Sequence, residues 1–238
     1  MENQIYNNYK QILKDVQDTC LKENKDHKSI KIIAVCKRQP LLKIEQSINA
    51  GITHFGENRI QDAKHRWSKL KLNKAKLSFI GPLQTNKSED AVQLFDDIQS
   101  LDRLKLVKSL SKAQTKLKKK IKFMVQVNTG NELQKSGIQP SEVDDFIKLC
   151  STNYGLNING LMCIPPVKEN PAIHFALMHE LNKRNNLQYL SMGMSNDYKT
   201  AIEFGATHIR IGSKLFGDRL EKRDIIIINC DLNEIFGF

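Results

Sequence analysis

Eight short apolar runs, most of them separated by stretches of helical periodicity, constrain this 238-residue chain more than any other feature. The runs are KIIAV (31–35), ITHFG (52–56), LSFIG (77–81), DIQSL (97–101), KFMVQV (122–127), INGLMCI (158–164), LQYLSMG (187–193) and THIRIG (207–212). Segments 41–50, 59–71, 103–119 and 142–150 between them repeat apolar residues at helical spacing. Strands alternating with helices predict a parallel sheet, because parallel neighbours need a long crossover. Eight such units match a (β/α)8 TIM barrel, with a doubly wound open sheet as the alternative. Ile5, Tyr9, Ile12, Leu13, Val16 and Cys20 predict an extra N-terminal helix before the first strand. Gly51 and Gly205 stand where glycines end helices, and Ser141-Glu142 and Ser195-Asn196-Asp197 stand where helices begin. No repeat or linker interrupts the pattern, so residues 1–238 are expected to form one domain.

Composition narrows the partners. The charge is 37 − 26 = +11, which suits nucleic acid, anionic surfaces or phosphorylated ligands. The densest block, KLKKKIK at 116–122, lacks the interleaved aromatics of a base-stacking platform and reads as a solvated helix end. No nucleic-acid partner is expected. Five cysteines (Cys20, Cys36, Cys150, Cys163 and Cys230) form neither a CxxC pair nor a Cys/His cluster, so neither a metal site nor a disulfide framework is expected. The polar N-terminus MENQIYNNYK lacks a signal peptide, and the run 225–228 is too short to span a bilayer. A reducing cytoplasm, with no membrane association, is the expected setting.

In a barrel, chemistry gathers at the C-terminal ends of the strands. Lys37 follows the apolar run 32–36, where desolvation lowers an ammonium toward a usable amine. Such an amine holds an aldehyde cofactor as a Schiff base, pyridoxal phosphate being the usual one; the plainer alternative is a lysine that snorkels to solvent. After the seventh run, Met194-Ser195-Asn196 offers N–H groups and a hydroxyl to a phosphate, and Gly212-Ser213 does so after the eighth. Ser195 as a mere helix cap and Gly212 as a mere turn stay open. In the eighth run, alternation puts His208, Arg210 and Gly212 on one face, opposite Ile209 and Ile211. Arg210 therefore points into the barrel, either toward a pyridine nitrogen or toward a buried carboxylate such as Glu57. The same alternation aims Lys37 inward with Ile33 and Val35.

Taken in order, IIAVCKRQP, HFGENRIQDA, FIGPLQTNK, QVNTGNELQKSGI, GLMCIPP, LSMGMSNDYKTAI and IRIGSKLFG resemble the pyridoxal-phosphate homeostasis proteins, which are similar to the N-terminal barrel of alanine racemase. The resemblance runs from about Ile30 to Gly217. It implies a fold-type III barrel that holds pyridoxal 5′-phosphate as an internal aldimine on Lys37. It further implies phosphate contacts from Ser195, Gly212 and Ser213, with Arg210 facing the pyridine nitrogen and Asn58 beside the cofactor. Ser78 departs from the histidine usual before Phe79-Ile80-Gly81, and the stretch from Leu220 onward has no counterpart.

The function implied is intracellular homeostasis of pyridoxal phosphate, without catalytic residues and with apo-enzymes as candidate recipients. The rival is a pyridoxal-phosphate racemase or decarboxylase. Alanine racemase draws a second base, a tyrosine, from a further C-terminal domain of its partner, and this chain ends too soon to carry that domain. A monomer is expected for the same reason. Nucleic-acid binding rests on charge alone.

Overall fold

Closure of the sheet decides between barrel and open sheet. In the computed structural model, which describes residues 4–70, 75–132 and 134–217, the apolar runs become β1 (Lys31–Val35), β2 (His54–Glu57), β3 (Lys76–Phe79), β4 (Asp97–Leu101), β5 (Lys122–Val127), β6 (Asn157–Cys163), β7 (Tyr189–Ser191) and β8 (His208–Ile211). Each pairs in parallel with its successor, and β8 returns to β1 from Lys31↔His208 to Ala34↔Ile211. A doubly wound sheet would leave two edges; this barrel leaves none.

Helices cover the outside: α1 (Gln4–Lys22), α2 (Leu41–Asn49), α3 (Ile60–Trp67), α4 (Ser88–Leu94), α5 (Leu104–Leu117), α6 (Val143–Thr152), α7 (Pro171–Arg184), α8 (Tyr198–Glu203) and α9 (Ser213–Phe216). The extra N-terminal helix is α1. Just past α2 and α8, Gly51 and Gly205 take φ of 92° and 93°, the left-handed turn that ends a helix before the next strand.

Differences from the expected spans have local causes. Ile52 donates its N–H to Ser47 O at the end of α2, so β2 starts at His54. Leu187 likewise donates to Asn182 O, and Gly193 turns at φ 88°, which trims β7 to three residues. Lys118 adopts φ 49° and closes α5 before the basic block is finished. Within that block Lys119 is tied to Gln93 O and Phe95 O, while Lys116, Lys118, Lys120 and Lys122 are exposed.

The main core lies between sheet and helices, with Ile32, Ala34, Phe55, Phe79, Ile98, Phe123, Leu161, Ile209 and Ile211 on its strand side. Ile33, Met124 and Met162 are buried outside that cluster and share the lumen with polar Ser78, Gln99, Ser191 and Arg210. Cys20, Cys36, Cys150 and Cys163 are free and buried. Among the described residues no helix is long and apolar enough to cross a membrane. Cys230 and the stretch from Leu220 lie outside the described residues.

Candidate cofactor site

A cavity of about 490 Å3 opens at the C-terminal ends of the strands, and Ser195, Arg210, Gly212 and Ser213 all line it. Residues some 15 positions apart in sequence meet here because the loops after β7 and β8 are neighbours on the rim. The Ser195 Oγ accepts hydrogen bonds from the N–H groups of Gly212 and Lys214, both at 3.3 Å. Two backbone donors and a hydroxyl are thus gathered in one place, the kinds of donor an anion uses.

Ser195 is not a helix cap. The helix expected to open at 195–197 begins at Tyr198, and Asp197 stands at its N-cap and accepts the Met194 N–H. The preceding turn depends on Gly193: at φ 88°, a Cβ there would lie 2.5 Å from the Ala201 Cβ. Gly212 has open space instead, since an added Cβ would meet only the Val35 Cβ at 3.8 Å. That opening lets a ligand approach the backbone.

Arg210 is 4% exposed and enters the cavity from β8. Its Nη1 donates to Ser191 Oγ at 2.8 Å and its Nη2 to Cys163 O at 2.7 Å. Glu57, the carboxylate considered as its partner, is instead held by Arg66 and by Trp67 Nε1 at 2.9 Å. Burial lowers the guanidinium's pKa from its ordinary value, although an arginine stays charged.

Lys37 and Asn58 sit on the same rim but do not line the cavity. β1 lies between β8 and β2, so the residues after β1 neighbour those carrying Gly212 and Asn58. Asn58 is half-buried and its Oδ1 has no hydrogen-bond partner, an acceptor still to be satisfied. Lys37 departs from expectation. The strand ends at Val35, and a turn closed by Gln39 N–H to Cys36 O, with Arg38 at φ 58°, carries Lys37 out as an exposed side chain. Strand alternation therefore does not aim it.

Several residues that sequence reasoning missed hold the rim in place. Asp15 of α1 is buried and receives Lys214 Nζ at 3.0 Å, Lys199 Nζ at 3.2 Å and the Tyr198 hydroxyl. Burial raises the Asp15 pKa, but these hydrogen bonds outweigh it and hold the carboxyl well below its usual range. Lys214 also donates to the Tyr198 hydroxyl at 2.8 Å, and Asn8 caps α9 through Leu215 O. The extra helix thus braces the loop whose N–H groups face Ser195. The available signal was an aspartate inside the buried stripe Ile12, Asp15, Val16, Thr19.

A closed parallel barrel with this cup after β7 and β8 and a buried arginine beside it has the architecture of the alanine racemase-like barrels, and residues 15–220 match the alanine racemase N-terminal domain. A pyridoxal phosphate homeostasis protein from Pasteurella multocida is 35% identical over 227 residues, covering 90% of this chain and 97% of that protein. A protein of that name from Escherichia coli is 30% identical over 228 residues, covering 91% and 97%. The structure of PipY from Synechococcus elongatus with pyridoxal phosphate bound superposes with a TM-score of 0.72 at 34% identity, covering 79% of this chain and 93% of that one. An alanine racemase from Clostridium difficile shares the fold alone, with a TM-score of 0.64 at 14% identity over 89% of this chain and 58% of that one. This chain belongs to the pyridoxal phosphate homeostasis protein family.

Proposed function

We propose that this protein binds pyridoxal 5′-phosphate and acts in its homeostasis as a non-catalytic carrier. The observation that carries the reading is the meeting of Ser195 Oγ with the N–H groups of Gly212 and Lys214 in the cavity that Arg210 enters. Ser195, Gly212 and Ser213 would hold the phosphate, and Arg210 would donate to the pyridine nitrogen without protonating it. Asn58, with its unsatisfied acceptor, would face the cofactor. When bound, the cofactor supplies an electrophilic aldehyde, and Lys37 is the amine we assign to hold it as a reversible Schiff base. An exposed lysine on a turn suits capture and release.

The non-catalytic part is supported by the tyrosines. None of the five lines the cavity, and the Tyr198 hydroxyl is committed to Asp15 and Lys214. We read the protein as a monomer in the reducing cytoplasm that supplies cofactor to apo-enzymes. Borohydride treatment of the yellow holo-protein followed by peptide mapping tests the central assignment. Cofactor fixed on Lys37 supports it, and fixation mainly on Lys87 or Lys135 overturns it. Incubation with L-alanine in deuterated water tests the absence of turnover: Cα-deuterium incorporation at roughly 1 s⁻¹ or faster would make the protein an enzyme.

A further inference from the structure

The barrel has a second opening. At the opposite end, a cavity of about 320 Å3 is lined by the first residue of seven strands: Lys31, His54, Lys76, Asp97, Lys122, Tyr189 and His208. Positive charge is in excess there. Lys76 pairs with Asp96 at 3.2 Å, whereas Lys31, Lys120 and Lys122 have no carboxylate partner among the described residues. The remaining carboxylate, Asp97, is already occupied by the Ser78 hydroxyl at 2.7 Å and Gln99 Nε2 at 2.9 Å. Burial, then the charges of His54, Lys31 and Lys122, push His208 down to about 3, so its imidazole is neutral. The buried Asn159 Oδ1 on this wall has no partner. Uncompensated ammonium groups around an acceptor that lacks a donor call for an anion that carries a hydroxyl.

This mouth is wired to the cofactor cavity. Arg210 Nη1 donates to Ser191 Oγ at 2.8 Å, Ser191 donates to Gln99 Oε1 at 2.6 Å, and Gln99 Nε2 donates to Asp97. Gln99 and Ser191 are fully buried. All three donors point the same way, from guanidinium to carboxylate, so each bond polarises the next. An anion among the lysines changes the field at one end of a chain whose other end is the guanidinium beside the phosphate cup.

We propose that the N-terminal mouth binds a small oxyanion, a hydroxylated carboxylate or a phosphate, and that its occupancy is transmitted to Arg210 through Asp97, Gln99 and Ser191. The transmission half rests on the cofactor reading above; the binding half does not. The test follows the His54 and His208 imidazole resonances, with and without cofactor, as malate or inorganic phosphate is added against sodium chloride of matched ionic strength. Saturable shifts with malate or phosphate but not chloride are expected, and which of the two saturates identifies the source. Lys31→Ala with Lys122→Ala should weaken that binding roughly tenfold or more. Saturation should also shift the visible band of the bound cofactor in the wild type. The shift should vanish in Gln99→Leu or, should that variant not fold, in Ser191→Ala. Imidazole shifts that only track ionic strength, or that survive the double lysine change, overturn the site. A cofactor band unmoved at saturation overturns the transmission.

Discussion

The two mouths of this barrel gather polar groups in different ways. At the C-terminal rim they are the Ser195 hydroxyl and the backbone N–H groups of Gly212 and Lys214 that donate to it, set by loops that α1 braces. At the N-terminal mouth they are side-chain ammonium groups on the first residues of strands, exposed on flexible stems. Backbone donors cannot rotate, so on the function proposed above the rim would recognise the shape of a phosphate at a fixed place. Lysine donors keep their rotamer freedom until a ligand arrives, so the mouth selects charge more than shape. The barrel lumen between them holds a polar hydrogen-bonded chain, where a barrel of this type usually packs branched apolar side chains.

The largest expected effect breaks the comparison at the rim. Lys37→Ala should remove the borohydride-fixed adduct completely while leaving non-covalent pyridoxal phosphate on the cup, as read by absorbance after gel filtration. Next is the brace. Asp15→Ala removes the acceptor shared by Tyr198, Lys199 and Lys214 and should cost about 2–4 kcal/mol of stability in denaturant unfolding. Because the Asp15 pKa is lowered by folding, this contribution is present at neutral pH and is lost as pH falls below the usual carboxylate range. The wild type should therefore approach the variant in acid. Cofactor affinity should fall with the brace, since the Lys214 N–H loses its support.

Ser195→Ala is expected to be smaller and more selective. Loss of one charge-assisted hydrogen bond is worth about 1.5–3 kcal/mol, or roughly one to two orders of magnitude in pyridoxal phosphate affinity. Ser213→Ala should act in the same range. Pyridoxal, which lacks the phosphate, should be nearly indifferent to either change, and equal losses for both ligands would show that the variant disturbs folding instead of the cup.

How far these features were legible in the chain depended on range. The barrel was readable because period-2 and period-3.6 patterns are local and alternate eight times. Arg210 was readable because its strand neighbours are isoleucines that must face the helices. The inward aim expected of Lys37 does not hold because alternation applies only inside a strand, and Cys36 to Gln39 forms a turn. Asp15, Tyr198 and Lys214 were missed because their contacts span up to 199 positions, which no local pattern records. The N-terminal mouth stayed hidden for the same reason. Its lysines start strands, where a single exposed charge is unremarked, and only closure of the barrel brings them together. Ser78 lacked an assigned partner until Asp97 was seen beside it.

The smallest effect sharpens the comparison at that mouth. Burial raises Asp97 to about 6, against opposing hydrogen bonds from Ser78 and Gln99. An unfolded aspartate titrates near 3.9. Between these values the native state binds more protons than the unfolded one, so this group makes stability fall as pH rises from about 4 to about 6. Asp97 is partly exposed, and the change should be only roughly 1–2 kcal/mol. Glu57 is also raised, first by burial, and His208 is lowered, first by burial, and acts with the opposite sign, so the wild-type curve alone does not isolate one carboxyl. The difference between the wild type and Asp97→Asn does. Denaturant unfolding of both proteins at closely spaced pH values should show that slope in the wild-type-minus-variant difference, whatever the variant's offset from a weakened Ser78 and Gln99 contact. A parallel offset with no change of slope would mean that Asp97 titrates normally. If an oxyanion occupies the lysine cluster, its charge beside Asp97 should raise that carboxyl further, and malate or phosphate should move the midpoint of the difference curve upward. An unmoved midpoint would separate the two mouths electrostatically, despite the hydrogen bonds that join them.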